Sequence, residues 1–172
     1  MIRPEDLLRP EPERASLDRP LDHLMACHRR IENRLATLQR AADAIESDPA
    51  AARAALESAF RFFETSGAQH TEDEERSLFP RLRPSLSRED LEFIDALERH
   101  HVQANALFPE VKRSAGGPPE IFRAKVARLV DLYRDHIAAE DSLLQPLAQA
   151  HLGPEDLAAI AAEMKRRRGL PA

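Results

Sequence analysis

Two stretches of this sequence place a glutamate four residues after a histidine: His70-Thr-Glu-Asp-Glu74 and His136-Ile-Ala-Ala-Glu140. On a helix, side chains four apart stand one above the other, with Cβ atoms about 5–6 Å apart, so each pair offers an imidazole and a carboxylate to one centre. Two further histidines, His28 and His101, sit singly on apolar seams of helical period. The set amounts to four nitrogen donors and two carboxylates on inward faces. A buried carboxylate is costly unless paired or bound to metal, and neutral imidazoles cannot pair both. A dinuclear metal centre resolves the balance: Glu74 and Glu140 each bridge two ions, and two histidines cap each ion. Two divalent cations bring +4 against −2, which leaves a positive site suited to an anion or a reducible gas. Imidazole with carboxylate suits iron, and the same donors also accept zinc or manganese. Four protein donors per ion leave coordination positions open.

Such donors need long helices, and the apolar pattern supplies them. Leu21, Leu24, His28, Ile31, Leu35, Leu38, Ala42 and Ile45 recur in steps of three and four after Pro20, as in a bundle helix. Ser47-Asp48-Pro49 supplies an N-cap and a proline at the first helical position. It opens a second helix to about Pro80, with Leu56, Phe60, Phe63, Gly67, His70, Glu74 and Leu78 inward. Ser87 with Asp90 resembles a capping box for a third helix, whose inward residues are Ile94, Leu97, His101, Ala104, Phe108 and Val111. Ser114-Ala-Gly-Gly-Pro-Pro119 is a loop. The fourth helix carries Phe122, Val126, Leu129, Tyr133, His136, Glu140 and Leu144. It ends at Gly153-Pro154, and a short fifth helix runs to the basic Lys165-Arg-Arg-Arg168. No stretch alternates like a strand. The expected fold is all-α: an up-down-up-down four-helix bundle over 20–168 with a short C-terminal helix. A Pro-rich extended or disordered arm is expected over 1–19 and a tail over 169–172.

An internal repeat supports this organisation. Shifted by 66 residues, His70…Glu74…Leu78-Phe-Pro80 falls on His136…Glu140…Leu144-Gln-Pro146, and Leu86…Glu-Asp-Leu91 falls on Leu152…Glu-Asp-Leu157. The seam around His28 (Leu24, Ile31, Leu35, Leu38) reappears at the same offsets around His101 (Leu97, Ala104, Phe108, Val111), and fits His100 poorly. His101 is therefore the inward one. The chain reads as two copies of a helix pair, each contributing one single histidine and one His-x-x-x-Glu.

Composition narrows the functional classes. The chain has 172 residues, a net charge of −5 and a single Cys. The charge recommends no nucleic acid, and one cysteine excludes a disulfide framework and any Cys-based zinc or iron–sulfur site. No apolar run approaches the roughly 18 residues of a membrane span. The N-terminus lacks a signal-peptide core, so a soluble cytoplasmic protein is expected.

The ordered set His28, His70-x-x-x-Glu74, His101, His136-x-x-x-Glu140 resembles the hemerythrin-like (HHE cation-binding) domains. The neighbouring Pro20-Leu-Asp-His-Leu-Met-Ala-Cys-His28 and Glu74-Glu-Arg-Ser-Leu-Phe-Pro80 fit too. The resemblance covers about residues 18–168. It implies a non-haem di-iron centre in a four-helix bundle, with terminal His28, His70, His101 and His136 and bridging Glu74 and Glu140, the pair completed by an oxo or hydroxo group. Oxygen-carrying hemerythrins use His-x-x-x-His on the third helix and His-x-x-x-x-Asp on the fourth. Here Asn105 stands four after His101, so the fifth histidine is missing, and the expected role moves from oxygen carriage to reaction, sensing or iron handling. Asp141 stands five after His136 and competes with Glu140; the 66-residue shift favours Glu140, because it places Asp141 on Glu75.

The remaining reactive types are read as follows. A ferritin-type site needs two Glu-x-x-His pairs, and only Glu98-x-x-His101 occurs. Cys27 is a half-buried filler or, less simply, a thiol that responds to oxidants. Tyr133 packs in the core or offers a phenol to the open position, with Gly67 leaving room opposite. His23, His100 and His151 fall off the seams and are expected in solvent, as are Glu72, Asp73 and Glu75. The expected function is a di-iron protein that binds, senses or reduces a small oxidant: dioxygen, nitric oxide or peroxide. The alternatives are a sensing or iron-handling module and a peroxide-decomposing or nitric-oxide-reducing enzyme.

Overall fold

Proline sets where most of the helices begin. In the computed structural model, which describes residues 15–171, α1 (Pro20–Ala44) starts on a proline whose missing N–H would have no helical partner in any case. The same device opens α2 at Pro49, where the Asp48 carboxylate also accepts the Ala51 N–H. α2 runs over 49–82 and contains two wide π turns, Phe63–Gly67 and Glu74–Leu78. A 3₁₀ turn, Arg83–Ser85, leads to α3 (Arg88–Ser114). Ser87 caps α3 by accepting the Asp90 N–H, as the sequence suggests. α4 begins at Pro119, runs to His151 and holds a third π turn, Glu140–Leu144. α5 (Pro154–Arg167) follows Gly153, whose N–H is taken by Asp156. Among the described residues there is no strand, and no helix is long and apolar enough to cross a membrane.

α1 packs on α2 and α4, α3 packs on α4, and α5 lies against α1 and α2. The apolar seams meet in two separate clusters. One gathers Leu35, Leu38, Leu56, Val111, Phe122 and Leu129; the other gathers Leu24, Leu78, Phe79, Ile94, Leu97 and Met164. Along every long helix the seam leaves one cluster and enters the other, and at that crossing stand His28, His70 with Glu74, His101, and His136 with Glu140. A single polar layer therefore lies between two dry ones. Of the expected inward set, Phe108 is only partly buried while its neighbour Leu107 is buried.

The C-terminal end of α5 is closed by a left-handed glycine. Gly169, at φ +67°, lets its own N–H reach the Arg166 carbonyl and the Leu170 N–H reach the Lys165 carbonyl, both at 3.0 Å. Of the arm expected over 1–19, residues 1–14 lie outside the described residues, as does residue 172 of the tail. Within the described part, Leu17 packs on the second apolar cluster, and the Ala15 carbonyl accepts from His23 Nδ1 at 2.9 Å.

Leu35 is fully buried in the first cluster, away from the polar layer. Leu35→Ala is expected to lower the unfolding free energy by about 2–5 kcal/mol, read from urea midpoints. A loss well below 1 kcal/mol would contradict this placement of α1.

Candidate metal centre

Glu74 and Glu140 each open a π turn, in which the Phe79 and Gln145 N–H groups bond five residues back to the Glu74 and Glu140 carbonyls. In each case a proline follows one residue later, Pro80 and Pro146. Inside a helix, proline has no N–H and its ring crowds the carbonyl four residues back. A wide turn just upstream carries the chain past that clash and swings the first residue of the turn onto the inner face. The π turns were not foreseen in the sequence. Their signal was present in the repeated Leu-x-Pro that the 66-residue shift superposes.

The structure brings the six expected donors together in two groups that share both carboxylates. His28 and His70 form one with Glu74 and Glu140; His101 and His136 form the other with the same two. Within each group, one donor atom per residue lies within 4.8 Å of every other. Glu74 faces both ways: Oε1 lies 3.1 Å from His70 Nε2, and Oε2 lies 3.3 Å from His101 Nε2. Glu140 Oε2 stands 3.0 Å from His28 Nε2 and 3.3 Å from His136 Nε2. All six side chains are at most 5% exposed.

Two acidic residues support the layer from outside. The Nδ1–H of His28 donates to Asp141 at 2.6 Å, and the Nδ1–H of His101 donates to Glu75 at 2.9 Å. A carboxylate only accepts, so each bond fixes the tautomer and turns Nε2 toward the centre. Asp141, weighed in the sequence as a rival of Glu140, is thus seated behind His28. Glu75, expected on a solvated face, is its counterpart behind His101, as the 66-residue shift relates them. Glu98 is drawn off by Arg83 at 2.8 Å and takes no part.

Asp73 and His23 correct the sequence reading more sharply, since both were expected in solvent. Asp73 is fully buried between Arg167 and Arg168, and His23 is buried on the Ala15 carbonyl. His100 is half-buried, its ring 5.7 Å from that of His136. His151 is exposed, as expected.

The donor set fits metal, because its polar atoms are buried and unspent. Both oxygens of Glu74 and of Glu140, both nitrogens of His70 and Nε2 of His28 have no hydrogen-bond partner; the close approaches among them lack hydrogen-bond geometry. Buried acceptors are rarely left so, and a cation between the two groups would satisfy them all.

Electrostatics in the absence of metal follow from the same crowding. Burial pushes His70 down to about 4 and His136 down to about 3, so both are neutral near pH 7. Burial also opposes charge on His28, but the hydrogen bond to Asp141 and the negative charge of Glu140 and Glu74 close by outweigh it and push His28 up to about 12. His101 rises to about 9 against burial, through Glu74 and Glu140. Glu74, although buried, is held well below the usual carboxylate range by His70, His101 and His28. Glu140 is raised to about 7 by burial and by the like charge of Glu74. Two imidazolium ions thus face the two carboxylates, and His101 donates from Nε2 to neutral His136 at 3.0 Å.

A cavity of about 20 Å³ adjoins His28, Glu74 and Glu140, walled by Leu24, Leu78 and Leu144. That is room for a ligand of water or diatomic size. Tyr133 is half-buried with its ring 5.3 Å from Phe63, and burial with the field of Glu74 pushes its phenol up to about 12. Cys27 is buried rather than half-buried, and burial pushes its thiol up, away from a reactive thiolate.

The metal-free protein is expected to be most stable near pH 6.5. His70 and His136 are depressed from 6.5 in the folded state, so their contribution is present above 6.5 and lost as pH falls through about 4 and 3. Glu74 acts in the same sense below 4.5. His101 and His28 are raised, so their contribution is full below 6.5 and lost as pH rises through about 9 and 12 respectively. Glu140 works with them between 4.5 and about 7, one group against two. Urea midpoints across pH 4–10 check this; a steady rise over the whole range would contradict it.

A comparison with curated proteins finds no match. The family model for the hemerythrin HHE cation binding domain matches residues 19–148. All six donors, the three π turns and both supporting carboxylates fall inside that span. With most of its length covered and a buried His/Glu cluster where the cation would sit, the chain belongs to the hemerythrin HHE cation-binding family.

Proposed function

We propose that the protein holds two iron ions in an up-down-up-down bundle and that the pair binds, senses or reduces a small oxidant. The observation that carries this reading is the division of Glu74, one oxygen toward His70 and the other toward His101. His28 and His70 would hold one ion and His101 and His136 the other, with Glu74 and Glu140 available to both. When bound, such a pair supplies Lewis acidity and electrons to a small ligand.

The chain's own residues do the rest. Asp141 and Glu75 orient His28 and His101 and raise their basicity as donors. Leu24, Leu78 and Leu144 keep bulk water from the cavity beside Glu74 and Glu140 and limit what enters by size. Dioxygen, nitric oxide and hydrogen peroxide meet that limit. Burial of all six donors favours a resident centre over one that hands iron on.

Purified protein, reconstituted with iron(II) without air and then oxidised, is expected to hold two irons per chain and show near-ultraviolet charge-transfer bands. Glu74→Ala is expected to remove those bands and at least one of the two irons, with the helical circular dichroism retained. Band shifts on adding dioxygen, nitric oxide or peroxide identify the ligand. Reconstituted protein that is fully folded yet free of metal would overturn the proposal.

A further inference from the structure

We propose that α5 is a clamp on the π turn that carries Glu74, and that Asp73, Ser77, Glu163, Arg167 and Arg168 are positioning residues for the centre. The inference rests on Glu74 and Glu75 serving the centre as described above. α5 lies beyond the span matched by the family model.

Its polar contacts bracket the π turn Glu74–Leu78. On the N-terminal side, buried Asp73 accepts from Arg167 Nε at 2.8 Å and from both terminal nitrogens of Arg168, at 3.2 and 2.7 Å. Within the turn, Ser77 donates to Glu163 at 2.5 Å and accepts from Arg167 at 2.6 Å. On the C-terminal side, Arg81 makes a two-pronged pair with Glu163, at 3.1 and 2.7 Å, and bonds the Ser77 carbonyl at 3.0 Å. Ile160 and Met164, both fully buried, seat α5 on Leu78, Phe79 and Leu82. Arg167 occupies the place that the 66-residue shift relates to His101.

The purpose of the grip lies in what the turn presents. A π turn is a less regular stretch of helix, and this one carries both the shared Glu74 and the Glu75 that orients His101. Among the described residues the π turn of α4 has no such grip: Ser142 bonds there only to its own helix, at Ala138 and Ala139, and Leu143 is exposed. One half of the centre is therefore held from outside by α5, while the other rests on its own helix and on His28.

Two readouts test the clamp. In the metal-free full chain, backbone amide exchange over 74–79 is expected to quicken at least tenfold in Ser77→Ala and in the Arg167→Ala/Arg168→Ala double variant, with exchange over 140–145 unchanged. In parallel, cobalt(II) titration with its visible d–d bands is expected to show affinity lower by about 10–100-fold, the scale at which outer partners act. Val111→Ala, buried in the other apolar cluster, serves as the control for general destabilisation and should leave both readouts unchanged at equal folded fraction. Unchanged exchange over 74–79 in both clamp variants, or an unchanged cobalt affinity and spectrum, overturns the clamp. Failure of the unaltered protein to take up cobalt instead counts against the dinuclear reading, and the exchange experiment still decides whether α5 grips the turn.

Discussion

Two carboxylates, Glu74 and Glu140, lie at the middle of a helical protein with both oxygens of each buried and, among the described residues, without a hydrogen bond. In the apolar interior this is affordable only with positive charge close by. Everything else at that level answers to it. Four imidazoles surround the pair, two further carboxylates steer two of those imidazoles, and dry clusters above and below keep the dielectric low. Without metal, protons on His28 and His101 supply the countercharge. With metal, cations would take their place and leave the site with an excess of positive charge.

The duplicated helix pair explains why the arrangement is two-sided. Each half supplies a single histidine, a His-x-x-x-Glu and an acidic residue directly after that glutamate. The glutamate of each half reaches across both groups of donors, and the acidic residue reaches a histidine on another helix. The proline six residues past each glutamate belongs to the same unit, since it closely follows the wide turn at that glutamate. Symmetry stops at α5, which repeats only the start of α3 and puts Arg167 where α3 has its histidine. A cation on α5 meets Asp73 outside the centre rather than a ligand inside it.

Much of this was legible in the chain. The seams of α1 and α3, the caps at Asp48 and Ser87, the prolines at helix starts and the inward choice of His101 over His100 all follow from local chemistry that acts within a few residues. Most of the residues misread share one property: their partners are remote in sequence. Asp73 falls off the apolar seam and looks solvated until α5, 94 and 95 residues away, closes over it. Glu75 is exposed, as expected, yet meets His101 from another helix, and Asp141 looks like a rival of Glu140 until His28 comes within bonding distance. His23 looks like a surface histidine until the backbone at Ala15 folds against it.

The sequence by itself determined the periodicity, the caps and which six residues stand as candidate donors, because helical spacing places them on seams before any helix meets another. Only the tertiary structure decided how those donors are shared and supported: which oxygen of Glu74 faces which histidine, that Asp141 stands behind His28 instead of beside Glu140, and that α5 grips the turn at Glu74. Spacing along one helix sets which way a side chain points. What it meets depends on the register between helices, and that is fixed by packing over the whole interior.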